Sequence, residues 1–308
     1  MSAEVERSLL RLGARGSALS RAQAELVRAA LGGESVEVVY VTTTGDRRSA
    51  AGQPIEWKGD FTRELDQALR DGRIDFAVHS LKDVPAVPSE DLVLTAVPPR
   101  EDPSDVLVSN GGLRLAALPP GARVGTSSPR RRAQLLRARP DLRVEEIRGN
   151  VDTRVRRLRE GRCDALVLAR AGLARLGRLD EIVEVLPEET LLPAPGQGAL
   201  AIFARAADRR TRDALAPLDD AASHREVLAE RRLLAVLEAG CKAPVAARAR
   251  AEGRAVRLTA AVFSRDGSRA LRESAAADGG DPADLGERVA RRLLDAGAAE
   301  LIREAEAP

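Results

Sequence analysis

Short apolar runs alternate with longer amphipathic stretches up to residue 203, and no other feature limits the fold of this chain as strongly. Residues 9–12 read as a strand, 18–31 as a helix, 36–44 as a β-branched strand, 62–70 as a helix and 74–78 as a buried strand. Strands and helices alternating over short connections build a mostly parallel α/β sheet. After a linker, Pro98-Pro-Arg-Glu-Asp-Pro103, the rhythm resumes: strand 123–125, helix from Pro129, strand near Val144, helix from Asp152, strand 165–169. A second Pro/Gly cluster, residues 192–198, leads into an apolar strand, 199–203, which is expected to return to the first sheet. Two lobes joined by two strands make a hinged cleft. From Ala221 the pattern becomes one long amphipathic helix, strands 245–251, 256–263 and 269–275, and a helix over 282–304, the signature of a smaller α+β domain. The expected division is therefore 1–99 with 199–217, then 104–194, then 221–308.

Composition narrows the function classes. Aromatic residues are 2% of the 308, so the cores are expected to be Ala, Val, Leu and Ile, and stacking of single-stranded nucleic acid has little to stack on. No run reaches the roughly 18 apolar residues of a membrane span, and the start lacks the pattern of a signal peptide, so the expected location is the cytoplasm with no membrane partner. The two cysteines cannot form a disulfide framework, and His79 and His224 have no metal-ligand spacing, so no metal is expected. Net charge is only +2, yet residues 123–162 hold 13 arginines against five acids, a local excess of +8 built to meet anions. Only three of the 49 basic residues are lysines, and Lys58, Lys82 and Lys242 all lie in segments that stand out on other grounds. A compact ammonium does what a rigid guanidinium fork cannot.

Asp83 follows the buried-looking strand 74–78, in the kind of loop where open α/β sheets bind ligands. A carboxylate there can accept a proton or steady a developing cation, although spacing alone leaves a plain turn role open. Gly125-Thr-Ser-Ser-Pro-Arg-Arg-Arg132 reads as a strand, a hydroxyl-rich turn and a helix start. Helix amides with Thr126, Ser127 and Ser128 make an anion site, to which Arg130 and Arg131 add bidentate pairing. Arg148-Gly-Asn150 with Arg154, and Arg15 with Ser17, repeat the arrangement at two more turns. Arg132, Arg137, Arg139, Arg156, Arg157 and Arg159 read mostly as solvated surface. Cys241, in the loop Gly240-Cys-Lys-Ala-Pro244, has Lys242 beside it to favour thiolate and no evident histidine base, which suits covalent anchoring better than acyl transfer. Cys163 reads as structural.

Taken in order, Ala14-Arg-Gly-Ser17, Gly45-Asp46, Phe61 with Arg63-Glu-Leu65, Ala77-Val-His-Ser-Leu-Lys-Asp-Val-Pro85, Arg100-Glu-Asp-Pro103, Gly125-Thr-Ser-Ser128, Arg148-Gly-Asn150, Ala171-Gly-Leu173, Pro195-Gly-Gln-Gly198 and Gly240-Cys241 resemble the porphobilinogen deaminase (hydroxymethylbilane synthase) family over nearly the whole chain. The resemblance implies a dipyrromethane cofactor held by a thioether to Cys241. It also implies head-to-tail addition of four porphobilinogen units with loss of ammonia, and release of hydroxymethylbilane by hydrolysis. By the same match Asp83 is the main catalytic group, with Lys82 beside it. Asp83 and Lys82, with Ser80, Thr126, Ser127, Ser128, Arg130, Arg131 and Arg148, would also hold the cofactor; Arg15, Ser17, Arg148, Arg154, Arg175 and Phe61 would hold substrate; and Lys58 would lie in a mobile loop. Each pyrrole brings an acetate and a propionate, which accounts for the arginines. A monomer is expected.

The chain departs from the family pattern at Glu56-Trp57 and Asp60 in that loop, and at Asp152, which stands where glycine is common and is expected to pull on Arg154. The rival readings are a hinged anion receptor of the periplasmic-binding-protein type, an architecture that the two-lobed pattern also fits, and duplex DNA binding through the +8 region.

Overall fold

The computed structural model describes residues 9–50, 58–87, 89–240 and 243–306, without the side chains of Ser49, Ala50 and Lys58. The chain opens with β1 (Leu10–Arg15), α1 (Ala18–Ala30), β2 (Val36–Val41), α2 (Thr44–Ala50), α3 (Arg63–Arg70), β3 (Phe76–Ser80) and β4 (Leu92–Ala96). It continues with β5 (Asp105–Ser109), β6 (Arg123–Gly125), α4 (Pro129–Ala138), β7 (Arg143–Glu145), α5 (Val151–Arg159), β8 (Ala165–Ala169), α6 (Arg170–Arg175) and β9 (Glu184–Val185). Then come β10 (Leu200–Arg205), α7 (Arg209–Leu215), α8 (Ala221–Leu237), β11 (Val245–Glu252), β12 (Ala255–Phe263), β13 (Ala270–Asp278), α9 (Pro282–Asp295) and α10 (Ala298–Glu306).

The first sheet has the order β2-β1-β3-β10-β4, and the second β7-β6-β8-β5-β9. In each, three strands run parallel and the other two run antiparallel to their neighbours. The expected return of the chain is present: β10 pairs with β3 from Leu200 opposite Ser80 to Ala204 opposite Phe76. The β3 run Phe76-Ala-Val-His79 is buried throughout, as a strand covered on both faces must be. Separate apolar clusters cover the two faces of each sheet. The third unit is the antiparallel sheet β11-β12-β13, with α8, α9 and α10 enclosing its core. Its other face puts Ala246, Ala261 and Phe263 against Ala133 of α4 and Leu192, so it docks on the second lobe.

Two expected elements change. The strand expected over 36–44 stops at Val41, because Thr43 and Thr44 turn to bond carboxylates: Thr43 Oγ1 donates to Asp46 at 2.8 Å and Thr44 Oγ1 to Glu64 at 2.6 Å. The helix expected over 282–304 is broken at Gly297, whose φ of +101° lies outside helical space, giving α9 and α10. Strands β4, β5 and β9 and helices α6 and α7 carried no clear periodicity.

Candidate active site

The loops after β1, β3, β6 and β8 leave the carboxyl ends of their strands toward one cavity of about 960 Å³, bordered by both lobes and the third unit. Arg15, Ser17, Phe61, Ser80, Lys82 and Asp83 line it from the first lobe. Thr126, Ser127, Ser128, Arg130, Arg131, Arg148, Arg154 and Arg175 line it from the second. Arg132, read from sequence as surface, lines it too. The site residues expected from separate turns are thus brought together, apart from those outside the described residues.

Asp83 ends a 3-10 turn, Leu81–Asp83, that continues β3 directly. The turn is fixed from two sides. Leu81 N donates to Ala199 O at 3.0 Å, and Gly196, at φ +75°, lies so close that a Cβ on it would stand 3.0 Å from the Leu81 side chain. Arg231 of α8 holds the segment that follows, donating to the Pro85 and Ala86 carbonyls at 3.0 and 2.9 Å. Among the described residues two carboxylates border the cavity, Asp83 and Glu146. Glu146 pairs with Arg148 at 2.6 Å, whereas Asp83 forms no ion pair among the described residues.

Three partly buried cations on the wall also form no ion pair among the described residues. Lys82 Nζ reaches Gln197 Oε1 at 3.4 Å, Arg154 Nε donates to Gly149 O at 2.7 Å, and Arg175 Nη2 to Gly198 O at 2.6 Å. Burial, with Arg131 nearby, brings the Lys82 ammonium down to about 8 and the Arg154 guanidinium down to about 10. Burial brings Arg175 down to about 10 against the opposing pull of Glu101. Asp83 acts on Lys82 and Arg154 from a distance and Glu101 on Arg175, but without an ion pair these positive groups withdrawn from water are costly until a ligand supplies anions in contact. A dipyrromethane bearing carboxylates fits this donor set.

Arg130 and Arg131 differ from expectation. Both point into the second lobe, where Arg131 donates to Asp105 Oδ1 from Nε and Nη2 at 3.0 and 2.7 Å. Arg130 Nη1 forms an ion pair with Asp105 Oδ2 at 2.7 Å and donates to Leu192 O at 2.6 Å. Burial alone would raise the Asp105 carboxyl, but the two guanidinium groups hold it well below the usual carboxylate range. Gln197 completes the cluster, donating to Pro103 O at 2.6 Å and Asp105 Oδ1 at 2.9 Å. Asp105 and Gln197 were not singled out from sequence as site residues; the Gln between two glycines was the one available signal.

Arg15 is likewise engaged: Nη2 lies 2.5 Å from Asp46 Oδ1, and its guanidinium carbon sits 3.9 Å from the Phe61 ring centre. The expected pull of Asp152 on Arg154 is absent, since Asp152 pairs with Arg178. The hydroxyls shape their turns: Ser17 caps α1, Ser128 caps α4, Ser127 donates to Ile147 O at 2.6 Å, Thr126 accepts from Ser128 N at 3.2 Å, and Ser80 accepts from Gln23 at 2.7 Å. Cys163 is buried, and burial pushes its thiol up to about 11, so it is inert. Cys241, Lys242, Glu56 and Trp57 lie outside the described residues, as does the Lys58 side chain. Gly240 and Ala243, which flank Cys241 and Lys242, both line the cavity. Among the described residues no helix is long and apolar enough to cross a membrane, and no group of His, Cys, Asp and Glu could hold a metal ion.

Residues 10–213 match the family described as porphobilinogen deaminase, dipyromethane cofactor binding domain, and residues 224–295 match porphobilinogen deaminase, C-terminal domain. The porphobilinogen deaminase of Rubrobacter xylanophilus is 52% identical over 294 residues, covering 94% of this chain and 95% of that one. That of Acidithiobacillus ferrooxidans is 51% identical over 300 residues, covering 96% and 97%. Among solved structures, the methionine-binding protein MetQ aligns with a TM-score of 0.45 at 13% identity, over 69% of this chain and 90% of that one, which adds nothing to the sheet orders above. With both family regions matched in order and about half of all positions identical over nearly the full length, the chain belongs to the porphobilinogen deaminase family.

Proposed function

We propose that the chain joins four porphobilinogen molecules head to tail in the cavity between its lobes, with Asp83 as the group that manages the charge. The observation that carries this reading is the pairing pattern: a carboxylate without an ion pair borders the same cavity as three partly buried cations without one. When bound, dipyrromethane supplies the pyrrole carbon to which the first unit is joined. Loss of ammonia from a porphobilinogen puts positive charge on its pyrrole, and Asp83, at the cavity wall, stabilises that charge. Joining then releases a proton from a pyrrole carbon, which the same carboxylate accepts. Lys82, Arg154 and Arg175 bind acetate and propionate groups. Ser80, Thr126, Ser127, Ser128 and Arg148 line the cofactor side, and Arg15, Ser17 and Phe61 the substrate side; Arg130 and Arg131, tied to Asp105, act as a fixed positive wall.

The thioether is assigned to Cys241, supported by the cavity-lining positions of Gly240 and Ala243 and by the inert environment of Cys163. Lys58 is assigned to a mobile loop over the cavity. The chain is further read as a cytoplasmic monomer divided at 1–99 with 199–217, 104–194 and 221–308. Intact mass tests the whole reading. Protein made in a haem-competent host should weigh more than the bare chain by one dipyrromethane, and added porphobilinogen should produce discrete further steps. Cys241→Ala should remove the adduct. A wild-type mass equal to the bare chain would instead favour a hinged anion receptor.

A further inference from the structure

The geometry points to Arg265, in the turn between β12 and β13, as a carboxylate-binding residue that the third domain contributes to the cavity. The inference rests on the reading of that cavity as the porphobilinogen site. The other described third-domain residues on its wall are apolar or glycine, so Arg265 is the one cation among them.

The position is built twice over. Within the turn, Ser264 N donates to Arg269 O and Gly267 N to Ser264 O, both at 3.0 Å, while Asp266 Oδ1 accepts from the Ser264 and Ser268 hydroxyls at 2.5 and 2.8 Å. Outside it, Gly267 presses on the backbone of α4. A Cβ there would stand 2.1 Å from Ala133 O, and the residue adopts φ +75°, so only glycine fits on both counts. Arg137 of α4 adds contacts to the Gly267 and Ser268 carbonyls at 3.4 Å. The turn is thus seated on the helix whose first turn carries Arg130 to Arg132, and Arg265 is brought to the cavity by that docking.

Two facts give the position a use. The guanidinium groups of Arg130 and Arg131 are already committed to Asp105, which reduces what that helix can offer a ligand. The cofactor thiol, Cys241, belongs to the third domain as well. A pyrrole chain tethered there has its anchored end at that domain, and Arg265 is the described cavity cation that the same domain supplies. Its ligand is therefore an aliphatic carboxylate, an acetate or propionate, on the anchored end of the pyrrole chain.

The test uses full-length apoprotein from a host unable to make porphobilinogen, given porphobilinogen and followed by intact mass over time. Arg265→Ala should acquire the covalent adduct about five- to tenfold more slowly than wild type, as loss of one partly screened charge-assisted contact predicts. Arg265→Glu should be slower still and Arg265→Lys close to wild type. The melting temperatures of the apoproteins should agree to within about 3 °C, since Arg265 is exposed and an exposed contact contributes about 1 kcal/mol or less. Equal loading by wild type, Arg265→Ala and Arg265→Glu overturns the inference while leaving the assignment of the cavity intact. A wild-type chain that gains no mass overturns both.

Discussion

Asp105 takes two hydrogen bonds from Arg131 on one oxygen, at 3.0 and 2.7 Å, in a place where both side chains are almost wholly removed from water. With Arg130 on the other oxygen, one buried carboxylate balances two buried guanidinium groups at the foot of β5, where the chain has just entered the second lobe. Removing the charge without changing the shape leaves two cations with no counter-ion. Asp105→Asn is expected to destabilise the fold by about 3–5 kcal/mol, the range for breaking a buried pair from one side. Urea unfolding of the apoprotein measures this. A loss below about 1 kcal/mol, the range of exposed pairs, would mean that water reaches the cluster.

The elements legible in the sequence were those specified locally. Ser128 before Pro129 marked the start of α4 because the cap hydroxyl and the N1 proline act within one turn. The apolar run beginning at Ala199 gave away β10, and its return to the first sheet followed from the Pro/Gly cluster before it. What the arginines bind was not legible. Arg130 and Arg131 looked like ligand-facing groups, yet their partner lies in a strand, Asp-Val-Leu-Val-Ser, whose pattern says only that it is buried. Local charge spacing likewise paired Asp152 with Arg154, where the fold pairs it with Arg178. Arg265 had no signal, because its nearness to the cavity depends on how a hairpin docks on a helix more than a hundred residues earlier in the chain.

Asp83→Asn should keep the fold and lose most of the chemistry. The side chain forms no ion pair among the described residues, but its charge lies near enough to Lys82 and Arg154 to favour both cations, so the loss in unfolding free energy is expected to stay within about 1 kcal/mol. Turnover of porphobilinogen should fall by about 10² to 10⁴, the contribution of a positioned acid–base group. Steady-state kinetics read the loss, and intact mass reads whether the chain halts after the first addition. Turnover near wild type would remove Asp83 from the mechanism.

Arg154→Met should separate binding from stability. The guanidinium is held by one backbone contact, to Gly149, and burial has already lowered it to about 10, so the apoprotein gains little from its charge. Unfolding of the variant apoprotein should be no easier than that of wild type. KM for porphobilinogen should rise about 10- to 100-fold, corresponding to loss of a charge-assisted bond of ~1.5–3 kcal/mol. An apoprotein clearly weakened by the change, with KM unaltered, would make Arg154 structural.

His79 supplies the pH test. It sits in β3 with its ring edge toward Phe203, centroids 6.0 Å apart, and its buried Nε2 has no hydrogen-bond partner among the described residues. Burial, with Arg15 adding repulsion, lowers the imidazolium to about 4 from the ordinary 6.5. The folded value is below the unfolded one, so between those two values the unfolded chain carries a proton that the folded chain does not. The stability from keeping His79 neutral is complete above about pH 6.5 and is lost as pH falls toward about 4. His79→Phe removes that proton uptake and, at Nε2, a buried polar atom with no partner. Across the window the variant should therefore gain on wild type by up to about 1.4 kcal/mol for each pH unit of acidification. Urea unfolding of both proteins near pH 5 and pH 7.5 checks the difference, which cancels the carboxylates the two chains share. If the gap between them is the same at both pH values, the imidazole titrates alike in the folded and unfolded chains, and its enclosure beside Arg15 does not hold it neutral.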